Sequence, residues 1–300
     1  MPNKKVWMLH DIRDEYKPRY SKRYAMPYFL NTDRFLQGID LIKANGTLAL
    51  LDKNNLDYLD SDSAEQILTF DDGLKDHLEV GRMLALNGIA GVFFVPSGIF
   101  TGEFVDSHKI QFINSILDSS IILGIIKQEM SLDSHDWEEL FADLSKSLWQ
   151  DNMWSKEMVF ITRFFRSYQD IELRRYVLDK IFREYVVSAD KDLHKDFYLT
   201  EEDIKELIDL GHQIGGHGVF SYNLEFETNE TIQSELLGSK EFLNSLNMPA
   251  QYALANGGFN ANVIEAAHRI GFKKCYITSE ESEKKFNNIL HGRRDFTKEY

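Results

Sequence analysis

The chain has 300 residues, 43% of them hydrophobic, and a formal net charge of −14. It is long enough for one large α/β domain or two ordinary ones. The acidity argues against a nucleic-acid face, which needs a basic stripe, and leaves room for a neutral or cationic small substrate.

The opening "MPNKKVWMLHDIRDE" reaches charged residues too early for a secretory leader, and no run approaches the ~20 apolar residues of a membrane span. The expectation is a soluble, cytoplasmic protein. The single cysteine, Cys275, forms no internal disulfide and fits a reducing compartment. "KVWMLHDI" is expected to be a buried strand. "NTDRFLQGIDLIKANG" is expected to be a helix, with Asn31 or Thr32 as cap and Gly46 as stop. "TLALL" is a further strand candidate. "QILTF", then "LKDHLEVGRMLALNG", then "AGVFFVPSG" read as β-α-β, the mark of a parallel sheet covered on both faces.

From about residue 103 to 196 the strand signals stop. "HKIQFINSIL", "WEELFADLSKSLW", "MVFITRFFRSY" and "ELRRYVLDKIFREYVV" have helical period, so the segment is expected to be one helical insertion. Its aromatic residues Phe160, Phe164 and Phe165 read as core. Alternation then resumes. "LTEEDIKELIDLG" carries a capping box from Thr200 to Asp203 and a Gly211 stop. "HQIGGHG", "QYALANGG", "KCYIT" and "NILHGRRDF" read as strands or their exits, separated by the helices "NETIQSELLGSKEFLNSLN" and "NANVIEAAHRIGF". The count predicts a single domain over 1–300, an α/β distorted barrel of six to eight parallel strands with a helical insertion midway.

In such barrels chemistry sits where strands run into the following loops. His10 and Asp11, Asp71 and Asp72, His217, and Asn256 with Gly257 all fall at strand exits. The adjacent carboxylates of "TFDDG" are ordinary turn chemistry, or one holds a metal while the other handles a proton. No Gly-rich phosphate loop appears, so a nucleotide cofactor is not expected. Of the other histidines, His212 reads as a structural cation at a helix C-terminus, His77 as solvated and His268 as packing. His108, opening the insertion, is left open.

"TFDDG" with its helix and "GIAGVFFV" resembles the first motif of the polysaccharide deacetylase family (carbohydrate esterase family 4, the NodB-homology domain). "LIDLGHQIGGHGVFSYNL" resembles the second motif and "YALANGGFNANVIEAAHRIGF" the third. "DSHKIQFI" and "LHGRRDFT" are similar to segments of a cytoplasmic-type branch. The resemblance covers residues 5–11, 67–115 and most of 199–297. It implies a metal-dependent hydrolase that removes N-acetyl or similar acyl groups from amino sugars. By position, Asp71 resembles the catalytic base, Asp72 and His217 metal ligands, and the Asn256 N–H the oxyanion donor. Zinc is the implied metal. The family usually has a second histidine four residues after the first; here that position is Ser221, and His10 or Asn223 are the substitutes. Ala255 stands where the third motif usually has proline.

The general acid has two readings. Strand alternation puts His291, Arg293 and Asp295 on one face, so His291 protonates the leaving amine with Asp295 orienting it. Alternatively Arg293 and Asp295 pair and His10 does the work. The expected substrate is an amino sugar in a surface-glycan precursor. The alternative is an impaired relative acting as a carbohydrate- or partner-binding scaffold. The oligomeric state is open.

Overall fold

The structure is a computed structural model describing residues 4–25, 29–54, 57–59, 64–146, 155–278 and 289–300. Two compact units form. One comprises Met1–Glu15, Met26–Val105 and His194–Tyr300, the other Tyr16–Ala25 and Asp106–Leu193.

The first unit holds β1 (Lys5–Leu9), β2 (Gln66–Asp71), β3 (Gly91–Val95), β4 (Gln213–Gly216), β5 (Gln251–Ala253), β6 (Lys274–Ile277), β7 (Leu290–Gly292) and β8 (Arg294–Asp295). All neighbours are parallel, in the order β7-β6-β5-β4-β3-β2-β1-β8. β7 and β8 lie at opposite ends of that order, yet only Arg293 separates them in the chain. One terminal strand therefore bonds first to β6 and then to β1. The Arg293 N–H donates to the Ile277 carbonyl at 3.0 Å on the way. This makes a nearly closed barrel, the distorted β/α barrel expected.

Every residue of β2 and β3 is buried, which explains why β3 is continuously apolar and why the polar Gln66, Thr69 and Asp71 of β2 are all hydrogen-bonded. Val6, Ile67, Val92, Phe94, Ala253 and Tyr276 belong to one buried cluster. "TLALL" makes only isolated bridges, Leu48 to Gln66 and Leu50 to Ile89. β2 already pairs with β1 and β3, so no free edge remains for it. The helix Thr32–Ala44 is capped by Asn31, whose side chain accepts from the Arg34 N–H at 2.9 Å. Glu201–Leu210 has the full Thr200–Asp203 capping box and ends on left-handed Gly211.

The second unit contains the helices Asp106–Ile116, Ser119–Met130, Ser134–Leu144, Lys156–Ser167 and Ile171–Ile181. Phe160, Phe164 and Phe165 are buried in it, as core residues. Within it, buried Lys109 pairs with Asp106 and Asp179, and the buried Arg23 guanidinium lies 5.2 Å from the Phe112 ring centre. His108 is buried here. Tyr16–Ala25 groups with these helices. Ser147–Trp149 of the expected helix and Asn288 of the expected last strands lie outside the described residues.

Candidate active site

Four strand exits supply the candidate residues. β2 ends on Asp71, whose strand position fixes its side chain beside Phe94 of β3, its register partner. Asp71 is buried and gripped by Arg293, with Nη1 donating to Oδ1 at 2.6 Å and Nη2 to Oδ2 at 2.7 Å. Nη1 also reaches Thr69 Oγ1 at 3.2 Å. Burial alone would raise the Asp71 pKa. The Arg293 charge outweighs it, helped by His217, the Arg293 hydrogen bonds and His10, and holds the carboxyl below its ordinary value. Arg293 is thus the partner of Asp71. The Asp295 carboxylate instead caps the C-terminal helix, accepting from the Thr297 N–H at 3.0 Å. The expected Arg293–Asp295 pair is replaced because the strand breaks at Arg293 and Asp295 starts a helix.

Asp72 follows with φ 81°, in the left-handed region. A non-glycine residue held there stores about 1–3 kcal/mol of strain, which the surrounding fold must offset. Its Oδ1 lies 3.3 Å from His217 Nε2, and both residues are buried. His217 leaves β4, and its Nδ1 is 2.7 Å from the Ala253 carbonyl. That bond places a proton on Nδ1 and turns Nε2 toward Asp72. Burial would lower the His217 pKa, but the Asp72 hydrogen bond and the charges of Asp71 and Asp72 outweigh it and raise it.

A lone pair on Nε2 facing a carboxylate calls for a proton or a cation between them. Two zinc bonds of about 2.1 Å near the tetrahedral angle separate their donors by about 3.4 Å. The Asp72–His217 spacing fits two arms of such a site. Among the described residues, no group of three His, Cys, Asp or Glu is placed to hold a metal. His10 therefore does not complete a set with Asp72 and His217. The backbone of its loop is tied elsewhere. His77 Nε2 is 2.9 Å from the His10 carbonyl, and Asp76 accepts from the Ile12 N–H at 2.6 Å and from Arg13 at 2.8 Å. Ser221 is buried with φ 57°. Asn223 packs against the third-motif loop. A Cβ on Gly258 would come within 1.7 Å of Asn223 Oδ1, an oxygen that is buried without a hydrogen-bond partner.

Asn256 sits in the turn after β5 with φ 55°, and it is exposed. Gly257 beside it has φ 67°, and a Cβ there would lie 2.2 Å from Thr278 Oγ1, so no larger residue fits. His291 pairs in register with Tyr276 and packs on its ring at 5.6 Å between centres. A cavity of about 380 Å³, lined in part by Ile99, Phe100, His194 and Tyr198, adjoins the β2 exit, where the Leu199 N–H donates to the Gly73 carbonyl at 2.9 Å.

Three histidines depart from the expectations. His77 is fully buried rather than solvated. His212 is buried and neutral rather than a capping cation. It accepts from the Gly91 N–H at 3.1 Å and bonds the Gly81 carbonyl at 2.8 Å, and burial pushes its pKa down to about 4. His268 is exposed at the end of its helix.

Residues 160–275 match the family model described as polysaccharide deacetylase. Over that segment the chain is similar to polysaccharide deacetylase domains. The match takes in β4 and β5 with their exit loops and does not reach back to β2. No curated protein matches the chain. Among solved structures, the Streptococcus pyogenes deacetylase PplD in complex with acetate is 15% identical, with a TM-score of 0.56 over 97% of this chain and 91% of its own. The de-N-acetylase from Aggregatibacter actinomycetemcomitans is 11% identical, with a TM-score of 0.51 over 97% of this chain and 95% of its own. BC0361, a polysaccharide deacetylase from Bacillus cereus, is 15% identical at a TM-score of 0.51. The match covers 97% of this chain but 64% of that one. At these identities the likeness shows the fold alone. Among the described residues no helix is long and apolar enough to cross a membrane.

Proposed function

We propose that the chain hydrolyses the N-acetyl or a similar N-acyl group of an amino sugar. The observation that carries this reading is the convergence of Asp71, gripped by Arg293, and of the facing Asp72–His217 pair at the exits of β2 and β4, in a chain similar to polysaccharide deacetylases.

Asp72 and His217 would hold a divalent cation, most readily zinc, which when bound polarises the acyl oxygen and lowers the pKa of water. The protein does the rest. Asp71 stays ionised because of Arg293 and takes the proton of the attacking water. The guanidinium fixes the carboxylate plane, so the base is oriented before substrate arrives. The N–H of Asn256 donates to the oxyanion of the tetrahedral intermediate. The leaving amine needs a proton, from His10 or His291. His10 is favoured because Asp295 is engaged as a helix cap and does not orient His291. The reading takes the whole chain as one domain with a helical excursion. It places the reaction on a cytoplasmic precursor of a surface glycan, in keeping with the single buried Cys275.

A carbohydrate-binding scaffold without turnover is the second reading, favoured by Ser221 and by the lack of a three-donor group among the described residues. Acetate release from N-acetylglucosamine oligomers with added zinc separates the two. Asp71→Asn should lower turnover by about 10²–10⁴-fold, the usual size of a lost general base, while zinc binding persists. Equal turnover in the variant would remove Asp71 from the chemistry.

A further inference from the structure

The helix Asn229–Ser245 buries Ile232, Glu235, Leu236, Ser239 and Leu243. These positions form one helical stripe, and Glu235 is the charged residue in it, at 1% exposure. A carboxylate on a core-facing stripe is destabilising unless hydrogen bonds replace its water. The replacement is specific. Glu235 Oε2 accepts from the Val219 N–H at 3.1 Å, and both carboxylate oxygens accept from the Phe220 N–H, at 3.0 and 3.1 Å. Consecutive amides closing on one anion form a nest, a strong and directional arrangement.

The other edge of the same peptides is held too. The Ser97 N–H donates to the Gly218 carbonyl at 3.0 Å and the Gly98 N–H to the Val219 carbonyl at 2.8 Å. The backbone between His217 and Ser221 is therefore clamped between the β3 exit and Glu235. Gly218 has φ 86°, and a Cβ there would lie 2.4 Å from Glu235 Oε2, so the clamp leaves no room for a side chain.

We propose that Glu235 is a positioning residue for the candidate site. Through the Val219 and Phe220 amides it fixes the loop that aims His217 Nε2 at Asp72. The proposal rests on the reading of Asp72 and His217 as the site. A purely structural Glu235 would satisfy two amides and steady the fold without governing the imidazole; the two roles differ in what they do to His217.

The test compares full-length wild type with Glu235→Gln, an isostere without the charge. Three readouts are taken: ring ¹H–¹⁵N correlations of the histidines, zinc affinity by chelator competition, and thermal unfolding. The His217 ring signals should shift and broaden while those of His212, buried against Gly81 and Gly91, stay in place. Zinc affinity should fall at least ~10-fold, as when an outer partner of a ligand is removed. A variant that melts earlier with unchanged His217 signals and unchanged zinc affinity overturns the proposal. A wild type that binds no zinc defeats the metal reading, and the ring signals then decide Glu235 alone. If Glu235→Gln does not fold, Glu235→Asp, which keeps the charge but draws it back from the amides, is read in the same three ways: shifted His217 ring signals support the proposal, and unchanged ones overturn it.

Discussion

The exits of β2 and β4 bring Asp72 and His217 face to face, yet opposite means hold them. At β2 the anchor is a charge pair, with Arg293 gripping Asp71 from 222 residues away. At β4 it is backbone: amides run to the buried Glu235, and carbonyls accept from the β3 exit. A charge pair concentrates its stabilisation in one partner, so a single substitution removes it. A clamped backbone spreads it over several bonds.

Removing the concentrated anchor should have the largest effect. Arg293→Met leaves Asp71 buried without its cation and should cost about 3–5 kcal/mol of stability in urea unfolding at pH 7. The loss should shrink as pH falls, because burial without the Arg293 charge raises the Asp71 pKa in the variant and protonation then relieves the orphaned charge. A cost below about 1 kcal/mol would mean that water or another cation takes over, and the two exits would be anchored alike.

Acid should sharpen the contrast from the β4 side. His212, which leads into β4, is buried neutral with its pKa near 4. The unfolded chain binds that proton first, near pH 6.5. The stabilisation is therefore complete above the unfolded value and is lost as pH falls through the folded one. Between pH 7 and 5 the loss is about 2 kcal/mol. Asp71, depressed below its ordinary value, stays ionised over that window. His212→Gln should flatten the dependence by that amount relative to wild type. Parallel curves for the two proteins would show that His212 takes up a proton without penalty.

The contrast also explains what the sequence made legible. β3 is apolar on both faces and β2 carries Ile67, Leu68 and Phe70 in one short run, so the barrel was readable from "QILTFD" and "GVFFV". Cap chemistry marked the helix ends at Asn31, Thr200 and Gly211. Asp72 and His217 were findable because each directly follows a strand. The anchors were harder. Arg293 and Asp71 meet only when the barrel closes, and strand alternation suggested the local partner Asp295 instead. Gly292 just before it is the one local sign of the strand break at Arg293. His77 reads as a surface residue because nothing local reveals that the β1 exit folds over it. Glu235 did leave a signal: a carboxylate on the apolar stripe Ile232, Leu236, Leu243.

The smallest expected effect tests whether the clamped β4 loop can present a further metal donor. Ser221 stands four residues after His217, where the resemblance places a second histidine. A serine hydroxyl is a poor zinc donor and an imidazole a good one. Ser221 already has φ 57°, a backbone region that histidine enters more readily than most residues do. Ser221→His should therefore keep the loop and add a donor. The gain is expected to be modest, about tenfold in zinc affinity or ~1.4 kcal/mol, because the serine is buried and the larger ring must displace neighbours. Chelator competition on both proteins measures it, with circular dichroism to check that the variant folds. Equal zinc affinities would mean that the loop holds position 221 away from the Asp72–His217 gap. The backbone clamp at β4 would then fix His217 alone, just as the charge clamp at β2 fixes Asp71.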